Sequence, residues 1–165
     1  MVRTAQTEDA PPAPALFGRA FFRVICAQMS FNYCFSTFLL LPKYLSTELH
    51  ASASDLGHVT AIQGVTAVIA VPFVSSFVDR VGRRPLMAAG AVLALVYSLC
   101  WLGITHIGPA VLALQVLSGL AFMAAFSGSS TLVADLAPAD RLSQAIGVFG
   151  AANISMNALA PAIAE

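Results

Sequence analysis

Two stretches of this chain, Leu56 to Val78 and Leu86 to Val133, contain no Asp, Glu, Lys or Arg, and only Asp79-Arg80-Val81-Gly82-Arg83-Arg84-Pro85 parts them. A helix crosses the hydrocarbon core of a bilayer with roughly 20 predominantly apolar residues. The first stretch is therefore one crossing, and the second holds two joined at Gly108-Pro109. Composition points the same way, with 58% hydrophobic and 10% charged residues, whereas soluble domains carry about 25% charged residues. The expected fold class is all-α transmembrane, a helical bundle of about five membrane-spanning helices.

The predicted spans are about 22–41, 56–78, 86–107, 110–133 and 142–164. Pro42-Lys43-Tyr44 marks the exit of the first span, and Ser46 to Asp55 reads as an external loop. Pro85 suits the first turn of the third helix, where its missing N–H costs nothing. His106, Gly108 and Pro109 form a very short external turn, and Asp140 is placed to cap or begin the fifth helix. Residues 1–16 include Glu8, Asp9 and Pro11-Pro12-Ala13-Pro14 and lack the apolar core and cleavage site of a secretory signal. They read as a disordered cytoplasmic tail, with the first span as an uncleaved insertion signal.

Arg3, Arg19, Arg23, Arg80, Arg83, Arg84 and Arg141 fall on one side of this pattern and Lys43 alone on the other. Because cytoplasmic loops carry the Lys and Arg excess, the N-terminus is expected to be cytoplasmic. Cys26, Cys34 and Cys100 lie inside apolar spans without CxxC or zinc-ligand spacing. They read as buried packing residues, and no metal, cofactor, catalytic group or nucleic-acid partner is expected.

Asp79 sits at a helix C-terminus, where the macrodipole disfavours an anion by roughly 0.3–1 kcal/mol. It calls for a cationic or helix N-terminal partner, and Arg83, four residues on, is the nearest candidate if Gly82 turns the chain tightly. Residue content alone also admits a positive-inside loop with an incidental acid. The stretch from Ser75 to Met87 nevertheless resembles signature motif A of the major facilitator superfamily, G-x-L-a-D-R-x-G-R-R/K-x-x-L. The D-R-x-G-R-R centre matches in full, while Ser75 replaces the leading Gly and Phe77 the Leu.

The connection Asp135-Leu136-Ala137-Pro138-Ala139-Asp140-Arg141, followed by Ala145-Ile146-Gly147 and Ala160-Pro161, is similar to the family's link into a small-residue fifth helix. Ala160 stands where the antiporter-type motif has Gly. The resemblance implies helices 1–5 of an incomplete N-terminal six-helix bundle over residues 17–165, truncated from a twelve-helix carrier. It implies that Asp79, with Arg80, Gly82, Arg83 and Arg84, forms a conformational latch against the C-terminal half. Arg83 would be the intramolecular partner of Asp79, Asp135 a third member of the charge cluster, and Arg80 and Arg84 would face headgroups or water. It further implies a secondary transporter of a bacterial cytoplasmic (inner) membrane, whose partners are the lipid bilayer, a small-molecule substrate and the missing C-terminal half.

The family's fourth-helix motif places an Arg four residues before a Gly that looks like Gly119 here, and Gln115 occupies the Arg position. An intramembrane Arg costs at least roughly 2.5–3.5 kcal/mol and marks function where it occurs, so its absence takes proton coupling away from its usual residue in this half. Substrate contacts must then be polar and mostly neutral. Gln28, Asn32 and Ser36 share one face of the first helix, and Gln115 and Ser118 lie on the fourth; each can line a cavity or glue helices together. Asn153 and Asn157 repeat the spacing on the fifth helix. Gly147, Ala151 and Ser155 form a small-xxx-small face there, expected to pack a neighbour.

Two functions follow. The first is alternating-access transport of a small organic solute, with this fragment inactive alone. The alternative is a short helical membrane protein that binds partners or lipids without transport.

Overall fold

The computed structural model describes residues 18–164, so the expected tail over residues 1–16 lies outside the described residues. The elements are α1 (Arg19–Ser36), a 3₁₀ turn (Thr37–Leu40), α2 (Leu41–Thr47), α3 (Ala53–Val81), α4 (Arg83–Trp101), α5 (Pro109–Leu136), a second 3₁₀ turn (Ala139–Arg141) and α6 (Leu142–Ala164). Among the described residues, four segments are long and apolar enough to cross a membrane: Arg19–Thr47, Ala53–Val81, Arg83–Trp101 and Pro109–Leu136. Helix α6, 23 residues, spans about 35 Å at the usual rise, although Gln144, Asn153 and Asn157 dilute its apolarity. The architecture is an all-α bundle of four to five membrane-spanning helices.

Helix α5 is the centre of the bundle and packs against α1, α3, α4 and α6. Its composition explains the position, because a helix that is apolar all round can be covered on several sides. Ala121, Ala125 and Ser129, spaced every four residues, are buried and let neighbouring backbones come close. A Cβ on Gly90 of α4 would lie 2.5 Å from the Ala125 nitrogen and 2.9 Å from the Ala121 oxygen. Only glycine permits that approach.

Two hydrophobic clusters close the ends. Phe21, Val24 and Ile25 of α1 meet Val133 of α5 and Ala145 and Phe149 of α6 at one end. Leu41, Leu45, Val59, Tyr97, Trp101, Val111 and Leu114 assemble at the other. The outer surface is apolar as well, with Val68, Phe73 and Ile154 at least 67% exposed. Such a surface is costly in water and fits hydrocarbon.

Several boundaries differ from the sequence expectation. The first span runs on through Pro42, Lys43 and Tyr44 to Thr47, because a proline at the start of α2 is compatible with helix. The external loop shrinks accordingly: Ser52 caps α3 in a capping box with Asp55. Helix α4 starts at Arg83 and ends at Trp101, short of Ile107, leaving Leu102 to Gly108 as a longer turn. Asp140 lies in the 3₁₀ turn, 3.8 Å from Arg141, rather than capping α6. Cys26, Cys34 and Cys100 are exposed, not buried, which hydrocarbon tolerates for a weakly polar thiol. Trp101 is a core residue of the end cluster, 9% exposed, with Tyr44 edge-on to it.

The two Arg-bearing connections lie at the same end of the helices, opposite the Ser52 cap, and the Lys and Arg bias predicts that this end is cytoplasmic. With the three native cysteines replaced by Ala, Asp140→Cys is expected to react with an impermeant maleimide only after the cells are opened. Ser54→Cys should react in intact cells. The reverse pattern would refute the orientation.

Candidate functional site

A polar seam joins α1 to α6, built from the four-residue spacing of Gln28, Asn32 and Ser36. Gln28 Nε2 donates to Asn153 Oδ1 at 3.1 Å, while Asn153 Nδ2 donates to the Phe149 carbonyl at 2.8 Å. Asn32 Nδ2 donates to the Asn153 carbonyl at 2.9 Å and to Asn157 Oδ1 at 2.9 Å. Ser36 Oγ donates to Asn157 Oδ1 as well. Ser129 of α5 lies 2.7 Å from Gln28 Oε1 and completes the seam. Backbone carbonyls anchor the orientations, since only an amide nitrogen can donate to them.

A second polar cluster lies between α3, α4 and α5. Gln115 Nε2 donates to the Val59 carbonyl at 3.1 Å, and its Oε1 accepts from the Tyr97 hydroxyl at 3.3 Å. Gln63 Nε2 lies 3.2 Å from Ser118 Oγ. A Cβ on Gly119 would sit 2.8 Å from the Gln63 carbonyl oxygen, so α3 and α5 touch there through backbone. Gln115 is thus a neutral amide that ties α3, α4 and α5 together.

Between the two clusters opens a cleft of about 380 Å³, lined by Phe35, Ser36 and Leu39 of the first span, Thr60, Gln63, Gly64 and Ala67 of α3, Gly119 and Phe122 of α5, and Asn157 of α6. Four helices contribute, and no lining side chain is charged. Phe35 and Phe122 form one wall, their ring centroids 5.0 Å apart. The polar groups of the otherwise apolar lining are Ser36, Thr60, Gln63 and Asn157.

At the α3–α4 turn, Gly82 stands alone between the helices with φ 93° and ψ 164°, a conformation that favours glycine. The structure departs from the expected pairing. Arg83 Nε lies 2.7 Å from Asp135 Oδ2, and among the described residues Asp79 is in no ion pair. The reason is geometric: Arg83 opens α4 and its side chain reaches the end of α5, while Asp79 stays on α3 and is exposed, as are Arg80 and Arg84. With side chains 37% and 47% exposed, the Arg83–Asp135 bridge contributes at most about 1 kcal/mol.

Of the expected cavity residues, Ser36 lines the cleft; Gln28, Asn32, Gln115 and Ser118 are at most 2% exposed and bond between helices. Gly147, Ala151 and Ser155 are exposed, and a Cβ on Gly147 would meet nothing within 4 Å. That face packs against nothing among the described residues. The expectation passed over Gln63, Phe35 and Phe122 as cleft residues and Ser129 as a seam member. Ala121, Ala125 and Ser129 carry the same small-residue recurrence as the α6 face, so the signal for α5 was present.

A sequence model of the Major Facilitator Superfamily matches residues 21–165. Two relatives, both named "Multidrug resistance protein B homolog", come from Mycobacterium tuberculosis strains CDC 1551 / Oshkosh and ATCC 25618 / H37Rv. Each is 37% identical over 59 residues, which is 36% of this chain and 11% of the relative. The matched segment thus spans about a tenth of those relatives' length.

Proposed function

The chain belongs to the major facilitator superfamily, whose members are transporters rather than enzymes, and on that premise we propose that it forms part of a secondary active carrier moving a small organic solute by alternating access. The observation that carries this reading is the uncharged cleft where α1, α3, α5 and α6 meet. A bundle that rocks against a second one presents such a face to the shared site. The second bundle is the C-terminal half of the same carrier. The relatives' name, multidrug resistance, supports an organic solute. Their bacterial source, with the Arg bias, supports a bacterial cytoplasmic membrane with the N-terminus inside.

At the cytoplasmic end, the motif divides the labour. Gly82 sets the turn, Arg83 ties α4 to α5 through Asp135, and Asp79 is left to engage the other half as the latch. Transport into sealed liposomes across a panel of organic solutes tests the proposal. The complete carrier is expected to show saturable uptake and the 165-residue chain none, because a single bundle has no second one to rock against and so cannot open its half of the site to the two sides of the membrane in turn. Saturable uptake by the chain alone would refute the two-bundle mechanism.

A further inference from the structure

We propose that the α1–α3–α5–α6 cleft selects uncharged aromatic solutes bearing a hydrogen-bond acceptor, and that the side-chain amide of Asn157 reads that acceptor. This rests on the reading of the cleft as half of a solute site. The wall supplied by Phe35 and Phe122, tilted 31° to each other, offers a third ring the offset or edge-on contact that aromatic quadrupoles favour at centroid distances of about 4.5–7 Å. The cleft contains no acid or base. A charged solute entering it loses hydration and gains no counter-charge from this wall.

Asn157 supplies the direction. Asn32 Nδ2 is held as a donor by the Asn153 carbonyl, and its second N–H therefore donates to Asn157. Ser36 adds its hydroxyl to the same oxygen. Two donors converging on one atom make it Oδ1, which leaves Nδ2 on the other branch. That nitrogen has no hydrogen-bond partner among the described residues, and Asn157 lines the cleft. The seam thus holds an amide N–H pair ready for an acceptor. Gln63 has no such fixed sense, because the Ser118 hydroxyl beside it can donate or accept. Gln63 can therefore adapt to either edge of a solute, while Asn157 cannot.

The test measures saturable binding to the full 165-residue chain in lipid nanodiscs, above that to protein-free nanodiscs. The probes are acetophenone (ring and acceptor), toluene (ring alone), benzylammonium and benzoate. Acetophenone is expected to bind roughly tenfold tighter than toluene, the increment of one hydrogen bond, and tighter than either ion. Asn157→Ala should remove the preference for acetophenone over toluene, and Phe122→Ala should weaken both alike. Tighter binding of benzylammonium or benzoate, or an acetophenone preference that survives Asn157→Ala, overturns the assignment. The wild-type probe order decides the matter even if the Asn157 variant does not fold. Absence of saturable binding by any of the four probes would instead overturn the reading of the cleft as a solute site.

Discussion

Gly90→Ala is expected to destabilise the bundle, whereas the same substitution at Gly147 leaves it unchanged or improves it. At Gly90 the new methyl would lie 2.5 Å from the Ala125 nitrogen and 2.8 Å from its Cβ. The obstacle is partly backbone, so relief requires α4 and α5 to move apart. Overpacking of this kind costs about 1–3 kcal/mol, enough to lower the melting temperature by several degrees, at roughly 2–4 °C per kcal/mol for a domain of this size. At Gly147 a Cβ meets nothing within 4 Å, and alanine is worth up to about 1 kcal/mol over glycine in a helix interior. Thermal unfolding in detergent, followed by the fluorescence of the single tryptophan at the end of α4, compares the two directly. Equal melting temperatures would mean that α4 and α5 do not approach as described.

Asp79→Asn in the complete carrier is expected to reduce transport on the order of tenfold at matched membrane abundance, while Arg84→Gln changes it little. Among the described residues the acid has no ion-pair partner, and it lies at a helix C-terminus where an anion is disfavoured. A contact made to the other bundle in one conformation only would offset that cost and bias the equilibrium between states. Couplings of about 1–3 kcal/mol translate into 5–150-fold effects. Arg84 is exposed on the first turn of α4 and holds no such position. Solute uptake at equal expression distinguishes the two, and full activity of Asp79→Asn would leave the motif as a turn without mechanistic weight.

The contrast between Arg83 and Asp79 shows why the charge cluster at the α3–α4 turn was only half legible. Their separation of four residues implied a pair, as it would on one continuous helix. Gly82 breaks that continuity with its positive φ, and the arginine goes with α4 to Asp135, far along the chain. A local spacing rule cannot foresee a partner brought by another helix.

The crossings, their order and the Asp79–Arg84 turn were determined by the sequence itself, because hydropathy and charge act residue by residue on transfer into a bilayer. It also determined that Gln28, Asn32 and Ser36 share a face, since helical periodicity is local. Which neighbour that face meets was decided by the tertiary structure. So was the choice between two equivalent small-residue stripes, with Ala121, Ala125 and Ser129 buried and Gly147, Ala151 and Ser155 left open. In hydrocarbon, no difference in apolarity tells one side of a helix from another; packing and interhelical hydrogen bonds set the rotation of each helix about its axis. Those forces exist only once the partners are in place, and the cleft among α1, α3, α5 and α6 is a product of that assembly.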